Sequence, residues 1–276
     1  MIYMFNQEWR LIIDAPGSGA WNMSVDESIL EHVVQKVVQP TLRLYTWNPY
    51  CLSLGYAQSY RDVNLDYLHQ KGWALVRRPT GGKAILHADE LTYSINAPQD
   101  NPVVNGSVLE SYQRLSKALL YALKVLGIQA DSKIKQNKVD NLSSNAICFE
   151  TPSDYEITCQ GKKIIGSAQA RRLQGVLQHG AIPLFGAIDR ITQVLHFNSE
   201  FERQTATANL NLRAANLQSI LNRKISWEVI TEAVIKGFET ELGLNFIQET
   251  LSEQEYKRAH ELTGTKYSND NWTMRM

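Results

Sequence analysis

Cys148 and the lysines that follow it are the residues best placed by type and spacing to do chemistry. Cys148 lies in Asn145-Ala-Ile-Cys-Phe-Glu-Thr-Pro-Ser-Asp154, a polar, proline-broken stretch in which no regular helix or strand is expected to bury it. Lys162 and Lys163 come soon after, in Gly161-Lys-Lys-Ile-Ile-Gly-Ser-Ala-Gln169. A thiol is a strong nucleophile only as thiolate, and a nearby ammonium lowers its pKa toward neutrality. A loop cysteine with a lysine partner is suited to hold an acyl group as a thioester. The spacing leaves open whether Lys163 reaches Cys148, since the loop must fold back. A packed loop anchor between Ile147 and Phe149 is the structural alternative.

The other two cysteines read differently. Cys159 alternates with Tyr155 and Ile157, on the apolar face of a strand, and Cys51 sits between Tyr50 and Leu52 at a strand start. Both are expected to act as small hydrophobes. With no Cys-x-x-Cys pair, neither a disulfide framework nor a metal site is expected.

A second candidate is Arg77-Arg-Pro-Thr-Gly-Gly-Lys-Ala-Ile-Leu-His87. Paired glycines let the backbone approach a ligand, and the flanking arginines suit an anion. The run is neither a Walker loop nor a dinucleotide fingerprint. A glycine-rich turn with exposed arginines is the alternative, and His87 alone reads as a strand-end histidine. Farther on, alternation sorts Lys163, Ile165, Ser167, Gln169 and Arg171 to one strand face, and Ile164, Gly166, Ala168 and Ala170 to the other. The small residues leave room for a ligand chain. A two-residue turn at Gln160-Gly161 would pair Lys163 with Thr158.

The elements around these residues alternate in type. A helix beginning at Asn22 carries Val25, Ile29, Val33 and Val37 at helical spacing and ends by Pro40. Strands are predicted over 41–47, 50–56, 73–77, 84–86 and 91–96, with a short helix over 64–70. Ser107 to Leu126 is the clearest amphipathic helix, stopped by Gly127. A hairpin over 155–171 and a strand over 176–184 follow. From Asp189 onward the pattern is helical, with Trp227, Ile230, Val234 and Phe238 on one stripe. The expectation is an α+β fold, a mixed sheet covered by helices, in one domain over 1–276 with a core about 20–245. Acidic and basic residues balance at 28 each, so no nucleic-acid or membrane partner is expected. A hydrophobic share of 43% is ordinary for a soluble protein. No secretory signal or membrane span is visible, and a reducing, cytoplasmic setting is expected.

Several segments together resemble a known family. They are Asn22-Met-Ser-Val-Asp-Glu27, Trp47 to Gln58, Arg77 through His87, Glu90-Leu-Thr-Tyr-Ser94, Lys163 to Gln169 and Leu177-Gln-His-Gly180. In this order they resemble the lipoate–protein ligase and octanoyltransferase catalytic domain. The resemblance implies a largely antiparallel central sheet flanked by helices, similar to the biotin–protein ligase catalytic domain. Cys-Phe-x-x-Pro-Ser-x-Tyr-Glu, at Cys148 to Glu156, resembles the cysteine-dependent octanoyltransferase branch.

That likeness implies Cys148 as acyl-thioester nucleophile and Lys163 as the lysine that lowers its pKa. It implies Arg77, Arg78, Gly81, Gly82, Lys83, His87, Tyr93, Gly166, Ser167, Ala168 and Gln169 as substrate-binding residues. Apart from the resemblance, the charge of Lys83 or Arg78 suits a phosphopantetheine phosphate. The implied donor is octanoyl-acyl carrier protein and the implied acceptor a lipoyl-domain protein such as glycine cleavage protein H, with no cofactor. Lys83 stands where the ATP-using ligases have a third loop glycine, and their accessory domain finds no obvious room. The alternatives are an ATP-dependent ligase, an amidotransferase between lipoyl domains, and a non-catalytic carrier-binding protein.

Overall fold

The computed structural model describes residues 7–133 and 156–275. Strand β1 (Gln7–Ile13) leads through helix α1 (Gly19–Val34) to β2 (Thr41–Tyr45), which lies parallel beside β1. β3 (Cys51–Leu54), α2 (Leu65–Gln70), β4 (Ala74–Arg77) and β5 (Ile85–His87) follow, their strands forming a small sheet in the order β4-β3-β5. Next come β6 (Glu90–Pro98), α3 (Val108–Val125), β7 (Asp131–Lys133), β8 (Glu156–Cys159), β9 (Lys162–Arg172) and β10 (Gly175–Pro183). The last elements are α4 (Glu200–Arg213), α5 (Leu217–Leu221), α6 (Trp227–Leu242), β11 (Leu244–Gln248), α7 (Glu253–Leu262) and α8 (Asp270–Thr273). The large sheet runs β11-β1-β2-β6-β10-β9-β8-β7, parallel only at β11-β1 and β1-β2. The α+β expectation therefore holds. No helix among the described residues is long and apolar enough to cross a membrane.

Strand alternation gives the large sheet two unlike buried faces. One carries Leu42, Leu44, Leu91, Tyr93, Ile95 and Val176 into the main core with α3 and α6. The opposite face carries Arg43, Tyr45, Thr92, Ser94 and His179, all buried, under α1 and the small sheet. That second face is unusually polar for an interior, and it is where candidate chemistry collects.

Both ends of α1 differ from expectation: it stops at Val34, short of Pro40, and Val37 lies exposed beyond Lys36 at φ 59°. α1 starts three residues before Asn22, because Ser18 caps it by accepting from the Trp21 amide. Asn22 is instead a buried helix residue whose amide donates to the carbonyls of Gly17 and Thr46. Strands β1 and β11 were not expected; β11 is short, and it interrupts the stretch read as helical. Cys51–Leu54 also leaves the sheet of Thr41–Tyr45 and founds the smaller one. In α3 the pattern holds: Ser107 caps it in a capping box with Glu110, and Gly127 has φ 86° just past its end.

α3 and α6 touch backbone to backbone. A Cβ placed on Gly237 would stand 2.1 Å from the Ala118 carbonyl oxygen. On either side Val234 and Phe238 are fully buried, each adding about 1.5–3 kcal/mol by leaving water. Gly237→Ala should therefore destabilise by roughly 1–3 kcal/mol through overpacking, outweighing the ~0.5–1 kcal/mol that alanine adds to helix propensity. A urea midpoint equal to or above wild type would disprove this close approach.

Candidate active site

The polar face is organised on the carboxylate of Asp26, carried by α1. Its Oδ1 accepts from Arg43 Nη1 at 2.8 Å and Ser94 Oγ at 2.8 Å. Its Oδ2 accepts from the Tyr45 hydroxyl at 2.9 Å, with His179 Nδ1 farther off at 3.5 Å. Burial pushes the Asp26 carboxyl up, but Arg43 and then His179 and Ser94 overcome that and hold it below the usual range. Asp26 is thus a fixed anion. Arg43 is completed by Asp14 at 2.6 Å and by the Asn22 side chain at 2.9 Å.

Two histidines extend this order toward a cavity. His179 Nε2 meets Thr80 Oγ1 at 2.7 Å, so a chain runs from Asp26 through His179 to the glycine loop. His87 Nδ1 lies 2.6 Å from Glu90 Oε1 and its Nε2 2.8 Å from Ser53 Oγ. The His87 ring stacks on Trp47 at 3.9 Å between centroids. Burial pushes the His179 imidazole below its ordinary value, only partly opposed by Asp26.

Between these histidines lies a cavity of about 70 Å³, bounded by Tyr45, Arg78, Gly82, His87, Gly166 and Ala168, among others. Small residues on β9 leave this space, as the alternation implied for Gly166 and Ala168. Ser167 adjoins it from a strand position whose hydroxyl faces away.

Lys163 reaches this side by a bulge. The hairpin turns at Gln160 (φ 51°) and Gly161 (φ 78°), and Thr158 pairs with Lys163. Ile157 then pairs with Ile165, leaving Ile164 without a cross-strand partner. Plain alternation put Lys163 on the face of Ser167 and Gln169. The extra residue reverses this. Glu156 lies opposite Gly166, and its Oε1 accepts from Lys163 Nζ at 3.0 Å. Lys163 is 3% exposed, on the face of Gly166 and Ala168. The bulge places the Lys163 carbonyl toward Ala215, whose amide donates to it.

The other expected residues divide. Arg78, Gly82, His87, Gly166, Ser167 and Ala168 border the cavity. Gly81, Gly82 and Lys83 border an open groove next to it. A Cβ on Gly55 would stand 1.8 Å from the Gly82 carbonyl oxygen, so the loop lies directly on the end of β3.

Arg77, Tyr93 and Gln169 do not reach either space. Arg77 is buried and donates to the carbonyls of Gly55, Gln58, Thr273 and Arg275, so it fastens the end of the described chain to β3. Tyr93 and Gln169 point into the α3 side: the Tyr93 hydroxyl pairs with Ser167 Oγ at 2.7 Å, and Gln169 with Ser111 and Gln178. Arg78 is not an open anion site, since its guanidinium donates to the carbonyls of Ser53, Gly81 and Lys83. Cys148 lies outside the described residues. Cys51 and Cys159 are buried, and burial pushes both thiols up, as expected of packing residues. Asp26 and His179 were visible only as letters in longer motifs; their partners are remote in sequence.

Residues 18–239 match the model of the lipoyl protein ligase A/B catalytic domain. The octanoyltransferase LipM of Carboxydothermus hydrogenoformans is 41% identical, over 98% of this chain and 99% of its own. That of Bacillus subtilis is 33% identical over the same shares. A bipartite lipoate protein ligase from Thermoplasma acidophilum, solved in a study with its E2 lipoyl domain, superposes with a TM-score of 0.81 at 26% identity, covering 97% of this chain and 96% of its own. A lipoate-protein ligase A bound with ATP superposes at 0.78 and 26% identity, covering 97% and 99%.

The Asp26 cluster makes a pH prediction. A base whose folded pKa is depressed takes up fewer protons than the unfolded chain, so stability falls as pH drops through its ordinary value of 6.5. The Asp26 contribution, from a depressed carboxyl, is lost only farther down, below its ordinary value of 3.8. Melting temperature should therefore decline from about pH 7 to pH 5.5, and His179→Gln should flatten that decline. Identical slopes would remove His179 as its source. Asp26→Asn, which leaves Arg43 short of charge, should cost about 3–5 kcal/mol.

Proposed function

The chain belongs to the lipoyl protein ligase A/B catalytic domain family, and we propose that within it this protein is an octanoyltransferase of protein lipoylation. One observation carries the reading: near-full-length identity of 33–41% to octanoyltransferases, above the 26% to the ligases of known structure. Lys83, where the ligases have a loop glycine, supports transfer over adenylation.

In this reading the Cys148 thiolate attacks the octanoyl thioester carried by acyl carrier protein. The tetrahedral intermediate expels the carrier's phosphopantetheine thiolate, which takes a proton, and octanoyl-Cys148 remains. A neutral lysine amine of a lipoyl domain, such as that of glycine cleavage protein H, then attacks the new thioester. It loses a proton and expels the Cys148 thiolate, leaving an amide. The first exchange is nearly balanced and the second runs downhill, so no nucleotide is needed. Lys163 stabilises the thiolate and then the oxyanion. Support for that role comes from Glu156, the last residue of the cysteine motif, which holds Lys163 on the face of Gly166 and Ala168. The acyl chain enters beside those residues, at the cavity between the two histidines.

Incubation with octanoyl-acyl carrier protein should add one octanoyl group, removable by hydroxylamine. Cys148→Ser should lower transfer to a lipoyl domain by roughly 10³-fold or more, whereas Cys159→Ser should retain it. Adenylate formation from free octanoate and ATP, with no thioester on the wild-type protein, would overturn the reading. Lys163→Ala should move the alkylation rate of Cys148 to higher pH and slow transfer about 10²-fold or more. An unshifted alkylation profile would reject its role.

A further inference from the structure

Gly82 belongs both to the cavity and to the open groove beside it, which holds about 670 Å³. The groove is cationic. Lys83, Arg171 and Arg172 line it, and Asp62 is the only carboxylate among the described residues that do. Tyr56, 41% exposed, stands in its wall. The Arg275 guanidinium carbon lies 4.0 Å from the Tyr56 ring centroid, and that of Arg172 lies 4.8 Å from it. Arg275 also donates to the Tyr56 carbonyl at 2.9 Å and lies 4.0 Å from the Trp272 ring centroid.

The arginines here are held in place without being neutralised. Arg77, Arg78 and Arg171 donate to carbonyls and side chains of the fold. Arg172, Arg275 and Lys83, by contrast, have no carboxylate within ion-pair distance among the described residues. Arg275 is anchored because Arg77 grips the carbonyls of Thr273 and Arg275 itself, and Trp272 Nε1 donates to the Arg77 carbonyl. The local field is felt by the Tyr56 hydroxyl, which Arg275 first and Arg172 next hold below its ordinary pKa. Two guanidinium groups sharing one aromatic ring repel each other until an anion joins them, and their planar forks match the oxygens of a phosphate.

We propose that Arg172 and Arg275, mounted on Tyr56 and joined by Lys83, bind the phosphate of the phosphopantetheine arm that delivers the acyl donor. The arm then runs past Gly82, and its thioester end enters the cavity. This rests on the acyl-carrier reading of the donor, and it moves the phosphate contact from Arg78, whose two terminal nitrogens are turned to the carbonyls of Ser53, Gly81 and Lys83, to residues from β9 and the segment after α8.

The test is a binding measurement that needs no catalysis. Calorimetric titration of the full chain should find 4′-phosphopantetheine bound roughly tenfold or more tightly than pantetheine, which lacks the phosphate. The ratio should shrink with added salt. In the doubly substituted Arg172→Ala, Arg275→Ala protein it should fall to about one, while Arg172→Lys alone should keep part of it. A wild-type ratio of one, or an unchanged ratio in the folded double variant, overturns the proposal. Octanoyl transfer measured on the same wild-type sample tests the enzymatic reading separately, because the binding ratio does not depend on acylation.

Discussion

The buried anion of Asp26 sets the geometry at the centre of the polar side of the sheet. Removing a carboxylate from water costs several kcal/mol, and that cost is met only where donors surround it in good geometry. Asp26 finds them on β2, β6 and β10, so α1 can seat in only one register against three strands. Because His179 also holds Thr80, the constraint passes beyond the large sheet into the glycine loop. The cavity walls are therefore fixed by hydrogen bonding, whereas the opposite sheet face is fixed by apolar packing against α3 and α6.

Much of the scaffold was readable because local signals agreed with tertiary structure. α3 shows the spacing, the Ser107–Glu110 box and the stop at Gly127 that its place in the core requires. The Gln160-Gly161 turn was equally plain, since Gly161 accepts the positive φ of a two-residue hairpin, and Gln160 is held in the same region by the pairing on either side. Asn22 misled for a physical reason: the side chain that would cap a helix serves as well to tie a helix interior to neighbouring carbonyls. Strands β1 and β11 gave weak signals, and each depends on its partner more than on its own composition.

The site was legible in type more than in direction. Neighbouring Arg77 and Arg78 read as equivalent anion holders, yet strand geometry sends one to the end of the described chain and the other under the glycine loop. Tyr93 and Gln169 share segments with cavity residues but belong to the other pleat. Arg172 and Arg275 carried no signal, because 103 residues separate them and only a ring from a third segment brings them together. Chemistry-bearing residues can be picked out by composition. Which of them meet is decided by pleat, bulge and long-range contact.

The unpaired Ile164 acts as a parity element in β9. Since side chains flip sides at each step along a strand, a hairpin with one residue fewer would carry its lysine to the apolar helix layer, away from Glu156. Length variation between Gly161 and Gly166 is therefore restricted to even steps if an amine is to stay beside the cavity, whatever residues occupy the turn.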